Sequence, residues 1–309
     1  MLSYVIQRLL QGCTVIFFVS ITTFALLQMA PGSPVDVIIG QAQVTQVQID
    51  AITKHWGLDR PWYVQYFTWA RNMLRGDFGT SMVRTGVPVG QMLREAAPVT
   101  LKLNVLAFLI STLIAVPLGL VAAVRRNSWI DNFSMIGATL GVALPSFWIS
   151  LMAIIIFALK LGWLPSTGMT SWKHYVLPVG VLAIEQTALI ARLARGAALE
   201  VLHQDYVTTA RAKGLTNGVV LVRHVARNAM LPVVTVLGIR AAWLLSGTVI
   251  VETIFAWPGV GRLFVDSIVR LDYQVIQSIV LLSSVLVVVM NILTDIIYAY
   301  IDPRIRVRT

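Results

Sequence analysis

The stretch DYVTTARAKGLTNGVVLVRHVARN, Asp205 to Asn228, is a basic island between two hydrophobic segments that are each long enough to span a bilayer. It reads as two short helices joined at a glycine. The first covers Tyr206 to Lys213: Asp205 caps the N-terminus, Arg211 and Lys213 sit at the negative end of the helix dipole, and Gly214 takes the left-handed stop. The second covers about Val219 to Asn228, with Arg223, His224 and Arg227 on a polar side and Val222, Val225, Ala226 and Ala229 on an apolar one, because positions three and four apart share a helix face. An ordinary positively charged loop would account for the arginines and lysines. It would not call for Gly214 or for a helix pair, and a membrane protein that keeps such a pair on one side of the bilayer has something there to grip.

The rest of the chain supports that setting. Of 309 residues 57% are hydrophobic and 12% charged, with a mean hydropathy of +0.78, which is the composition of an integral membrane protein. The net charge of +10 does not indicate nucleic acid, since the basic residues are spread among loop ends and not gathered on one soluble face with stacking aromatics. Cys13 is the single cysteine, so there is neither an intrachain disulfide nor a redox pair.

About 20 apolar residues cross the hydrocarbon core. Six segments reach that length, at roughly 10–30, 99–124, 133–159, 175–194, 232–252 and 275–300, so the expected fold class is an all-α membrane protein with six transmembrane helices. The first is read as a retained anchor, because its uncharged run is longer than a signal-peptide core and no small-x-small cleavage site precedes Pro31. Arg125, Arg126, Arg192, Arg195, Arg211, Lys213, Arg223, Arg227 and, at the end, Arg304, Arg306 and Arg308 fall on one side, the cytoplasm. Arg8 puts the N-terminus there as well, and both termini are expected inside. The expected organisation is residues 1–30 as N-terminal segment and first span, 31–98 as an extracytoplasmic subdomain, and 99–309 as transmembrane core with the cytoplasmic loop at about 200–230. Trp129, Trp163, Trp172 and Trp257 lie near predicted span ends, as headgroup anchors do. Pro117 and Pro145 fall within spans two and three and permit kinks there.

In the 31–98 segment Trp62, Tyr66, Trp69 and Met73 recur at helical spacing behind Pro61, a stripe suited to packing on the bundle. Gly76-Asp77-Phe78-Gly79 then reads as a turn. Catalytic and cofactor signatures are missing: no glycine is followed by lysine, so there is no P-loop, and there is neither an HExxH pair nor a GxSxG elbow. His55, His174, His203 and His224 are scattered, so no catalytic residue, cofactor or metal site is expected on this chain.

These residues resemble a known family, the inner-membrane permease subunits of bacterial ABC importers of the oligopeptide, dipeptide and nickel group. Met29-Ala30-Pro31-Gly32-Ser33-Pro34 is similar to the family's PGDP turn, with Ser33 in place of Asp. Gly57-Leu58-Asp59-Arg60-Pro61, Gly76-Asp77-Phe78-Gly79 and Pro98-Val99-Thr100-Leu101 are similar to its outer-loop landmarks. Asp205-Tyr206, then Thr209-Ala210-Arg211-Ala212-Lys213-Gly214, then Arg227-Asn228-Ala229 with Leu231-Pro232 resemble its EAA loop. Trp257-Pro258-Gly259-Val260-Gly261-Arg262 and Asp302-Pro303-Arg304 complete the order. The Glu of the general EAA consensus is absent, and Thr208 or Thr209 stands near its place.

The resemblance implies a type I ABC importer fold in the bacterial inner membrane and a set of partners: a second homologous permease, two cytoplasmic ATPases that carry the ATP and Mg, and an extracytoplasmic substrate-binding protein. It also implies that Asp205, Tyr206 and Thr209 to Gly214 couple the spans to an ATPase. The cargo it implies is a di- or oligopeptide, with nickel or a metal chelate as the alternative. An ion-coupled secondary transporter would be expected to show internal repeats and intramembrane carboxylates. No repeat is evident, Glu185 is the clearest midspan carboxylate, and Asp295 lies toward the end of span six. Counting from the same side, Glu185 and Arg240 lie at depths of roughly 10 and 12 Å. They form either an ion pair locking spans four and five or two charges lining the translocation path.

Overall fold

The computed structural model describes residues 2–29, 35, 39, 45–84, 86–242 and 248–301. Ala30 to Pro34 of the expected turn motif lie outside the described residues, as do the Asp302-Pro303-Arg304 motif, Arg306 and Arg308. The described chain is helical, and it has no strand beyond an isolated antiparallel bridge between Thr80 and Pro88. It divides into two compact units, Met1–Thr100 with Pro258–Thr309, and Leu101–Trp257.

In the first unit α1 (Leu2–Met29) lies along α12 (Tyr273–Ile301). A Cβ at Gly12 would come within 2.5 Å of Val288 Cγ1, so glycine is what permits their close approach. Between them in sequence come α2 (Gln46–His55), α3 (Trp62–Leu74), the start of α4 (Val89–Val124) and α11 (Val260–Val269). The aromatic stripe of α3 is used in part. Trp69 is buried, Tyr66 donates to or accepts from Ser20 Oγ at 2.9 Å, and both rings meet Phe24 of α1, whereas Trp62 faces outward at 67% exposure. The Gly76 to Gly79 segment is a turn as read: Gly76 and Gly79 adopt φ of +77° and +69°, and the Gly79 N–H donates to Asp77 Oδ1 at 2.9 Å. Beyond it the Ser81 hydroxyl donates to buried Asp272, whose other oxygen accepts from the Met82 N–H at 3.1 Å. Val89, Met92, Leu93, Val275 and Ile279 close the core beneath.

The second unit begins within α4 and holds α5 (Trp129–Ala143), α6 (Ser146–Ala153, continued as a π-helix over Ile154–Lys160), α7 (Lys173–Leu202), α8 (Asp205–Ala212), α9 and α10 (Val249–Ile254). The helix α9 opens at Asn217–Val219, passes through a π-helical segment at Val220–Ala226 and continues as Arg227–Ala242. Ala115 of α4, Ile190, Ala191 and Ala194 of α7 and Val233 of α9 form its central core.

Five described helices are long and apolar enough to cross a membrane, or six when the bent pair α5–α6 counts as one. That pair corrects the expected third span. Where a kink was expected at Pro145, the chain turns by 105°. Leu144 is extended (φ −84°, ψ 128°), which is the conformation that a following proline imposes, and the helix ends there. The fifth span is displaced as well: it starts within the loop, at Asn217, and runs through Pro232 without a break, so the loop's second helix and the span are one element. Trp257 is no headgroup anchor. It is 1% exposed and stacks edge-on against Tyr175 at 4.6 Å, whereas Trp129, Trp163 and Trp172 are exposed as expected.

Candidate functional site

The helix α8 follows α7 directly and is finished at both ends by backbone. Gln204, one residue earlier than expected, takes the N-cap position, and Asp205 becomes the first helical residue. Its carboxylate still lies in the first turn, against the positive end of the dipole. At the other end Lys213 is the C-cap, and Gly214 adopts φ +81°. The Gly214 N–H donates to Arg211 O at 2.9 Å and the Leu215 N–H to Ala210 O at 3.4 Å, the paired bonds of a Schellman stop. No atom lies within 4 Å of a Cβ built at Gly214, so the demand for glycine there is conformational and not a matter of space.

Val207 and Ala210, three residues apart, form the buried face of α8. They join Ala123 of α4, Ala198 of α7 and Val220, Val225 and Ala229 of α9. Full burial of a valine stabilises by about 2 kcal/mol, so Val207 alone holds α8 firmly to its socket. Ala210 therefore serves the socket, and Asp205, Tyr206, Thr208, Thr209, Arg211, Ala212, Lys213 and Gly214 are exposed. Asn228 Nδ2 donates to Tyr206 Oη at 2.8 Å and ties α9 to the exposed rim.

The apolar face of α9 differs from the helical-wheel reading. Val220 and Val225 are buried and Val222 is 71% exposed. The reason is the π-helix: with i to i+5 bonding, residues five apart align, and a three-four spacing misplaces Val222.

Two features fix α7, which carries α8. Arg195, read from sequence as a loop charge, forms a bidentate pair with Asp131 of α5, Nε to Oδ1 at 2.5 Å and Nη2 to Oδ2 at 2.7 Å. The Asp131 carboxylate, 1% exposed, also accepts from the Asn127 N–H at 3.0 Å, and Ser128 caps α5. Gly119 of α4 is the second feature. A Cβ there would lie 2.5 Å from Ala191 O and 2.8 Å from Ala194 Cβ, so α4 and α7 touch backbone to backbone. Neither was legible beforehand, although Ser128 three residues before Asp131 is a helix-start signal that could have directed attention to that carboxylate.

Glu185 is exposed on α7 and Arg240 half-buried on α9. Among the described residues no ion pair or hydrogen bond joins them. A carboxylate that sequence reasoning passed over, Glu252 of α10, is fully buried, with Thr248 Oγ1 donating to Glu252 Oε1 at 2.7 Å and Asn104 Nδ2 to Thr248 Oγ1 at 3.3 Å. No group of three His, Cys, Asp or Glu among the described residues could hold a metal ion.

A family described as binding-protein-dependent transport system inner membrane component matches residues 115–307, and its N-terminal counterpart matches residues 1–104. The chain is a member of that permease family. The permease is 39% identical over 315 residues to the oligopeptide transport system permease protein AppB of Bacillus subtilis, and 41% identical over 306 residues to the glutathione transport system permease protein GsiC of Escherichia coli K12. Both alignments cover 99% of each chain. Among solved structures it is similar to the crystal structure of an amino acid ABC transporter with histidines, at TM-score 0.51 and 19% identity, over 67% of this chain and 93% of that one. That likeness shows the fold alone. The permease is thus a multi-pass inner-membrane transport subunit and not an enzyme.

Proposed function

We propose that this permease forms the translocation path for di- or oligopeptides in an ATP-driven importer, and that α8 is its coupling helix. The observation that carries the reading is the division of α8 into a buried face set in a small-residue socket and an exposed polar face. The chain has no nucleotide motif, so ATP and Mg belong to two cytoplasmic ATPase subunits, and an external binding protein delivers the cargo to this permease and a second, homologous one. The names of the similar relatives favour a peptide over nickel or a metal chelate. Both termini and α8 face the cytoplasm in this reading, with residues 31–98 outside.

Coupling follows from rigidity. α8 is packed to the end of α7, and α7 is clamped to α5 and α4 by Asp131–Arg195 and by the Gly119 contact. A push on α8 from a closing ATPase pair therefore moves α7 as a body, since close-packed interiors transmit displacement. Leu202 and Glu185 lie on that one helix, about 25 Å apart at 1.5 Å per residue. Glu185, free of any pairing with Arg240 in this chain, is set to meet the peptide ammonium, and Arg240 its carboxylate.

Gly214→Val tests the coupling role. A β-branched residue at φ +81° costs about 1–2 kcal/mol, enough to unwind the Schellman stop. The expected result is at least a tenfold loss of ATP-driven peptide uptake in proteoliposomes with normal membrane insertion, and near-normal uptake for Gly214→Asn, which tolerates the left-handed region. Normal uptake by Gly214→Val at normal expression would remove α8 from the coupling role.

A further inference from the structure

The first unit contains a cavity of about 240 Å³ that the coupling reading does not use. It opens beside the C-terminal end of α1, at Phe24 and Gln28, and the first turns of α12, at Tyr273, Gln274 and Gln277. Tyr273 and Gln277 are four residues apart and share a helix face. Both are more than nine-tenths buried, at 8% and 5% exposure. No hydrogen bond among the described residues engages the Tyr273 hydroxyl or the Gln277 carboxamide. Both residues line the cavity and neither polar group is sealed off from it, so hydroxyl and carboxamide are open to hydrogen bonds with a polar occupant.

The walls narrow the choice of occupant. Phe24 and Met82 line the same space with apolar surface, and Trp69 adds a buried indole Nε1–H that nothing among the described residues accepts. Gln65 is already spent, accepting from Gln28 Nε2 at 3.0 Å and donating to Arg60 O at 2.8 Å, so the mouth is a preformed amide network and not loose chain. The exposed mouth carries charges of both signs, the Arg60 guanidinium and the Asp77 carboxylate. Carboxamide and hydroxyl groups inside match the N–H and C=O groups of a peptide main chain, apolar walls match small side chains, and a cation and an anion at the mouth match a free carboxylate and a free ammonium.

We propose that this cavity is an accessory binding site for a short zwitterionic peptide, separate from Glu185 and Arg240. The proposal rests on the peptide reading above. With α1 entering from the cytoplasm in that reading, the site lies at the outer end of the first unit.

The test uses the full importer complex in nanodiscs, without nucleotide or binding protein, and tritiated trialanine as probe. The expected result is saturable binding that weakens about tenfold in Gln277→Leu and about fivefold in Tyr273→Phe, with N-acetyl-trialanine amide competing at least tenfold less well than trialanine. Tyr273→Phe removes only a hydroxyl, so it keeps the test open should Gln277→Leu fail to fold. Absence of saturable binding to the wild type, undiminished binding in both variants, or equal competition by the capped peptide would each overturn the proposal. Binding-protein-driven uptake of trialanine in proteoliposomes separates the two failures: uptake without accessory binding removes only this site, and absence of uptake removes the peptide reading with it.

Discussion

Arg195 and Glu185 ride on the same helix, ten residues apart, and the structure treats them in opposite ways. Arg195 is fixed by two charge-assisted bonds to a buried carboxylate, next to a stretch where α4 and α7 touch backbone to backbone. Glu185 has no such clamp and is exposed on the single chain. A mid-helix charge in a membrane protein costs several kcal/mol unless something answers it. The comparison separates a charge whose partner lies within this chain from one with none there, and under the proposed function these are the part of α7 that transmits force and the part that meets cargo or a second permease.

The largest effect is expected at the clamp. Asp131→Ala leaves a guanidinium without its counter-charge, and with Arg195 only partly exposed (24%) the loss should be about 3 kcal/mol. It should appear as a marked fall in unfolding temperature of the detergent-solubilised permease. The double variant Asp131→Ala with Arg195→Met should recover part of that loss, because no charge remains to be left alone. If the double variant is as unstable as the single, the bridge is not what holds α7.

That bridge also shows where sequence reading stops. Gly214 was legible because a helix that ends on basic residues and a glycine is a local pattern, complete within ten positions. Asp131 and Arg195 are 64 positions apart; Arg195 read as an ordinary loop charge and Asp131 drew no reading until α5 and α7 were laid side by side. Pro145 was visible as a disruption, but a proline does not state its bend angle, and the 105° turn is seen only in the fold, where α6 and α10 lie against α7. Val222 was misassigned because a π-helix changes the period without leaving a mark in composition. The six hydrophobic runs were legible for the opposite reason: their length is imposed by the bilayer itself.

A smaller effect sharpens the same division. Gly119→Val would set side-chain atoms against Ala191 O, a backbone atom that cannot rotate away. Forcing α4 from α7 should cost about 1–3 kcal/mol and should lower uptake in step with stability. Gly137, around which a Cβ would meet nothing within 4 Å, is the matched control, and Gly137→Ala should leave both unchanged. Should Gly119→Val lose uptake while keeping wild-type stability, the contact would be a moving joint and not a fixed one.

The smallest effect on stability, and the most telling for function, belongs to Glu185. If no residue of this chain answers its charge, Glu185→Gln removes nothing that the fold depends on, and the stability read from thermal unfolding should change by no more than about 0.5 kcal/mol. Uptake is a different matter, because a carboxamide cannot attract a peptide ammonium as a carboxylate does. The expected outcome is a raised KM for peptides with a free N-terminus and a much smaller change for N-acetylated ones, while Arg240→Gln shows the mirror pattern toward peptides with an amidated C-terminus. A fall in stability from Glu185→Gln as large as that from Asp131→Ala would mean that Glu185 is answered within the folded assembly after all, and the contrast between the two positions on α7 would collapse into one continuous structural charge network.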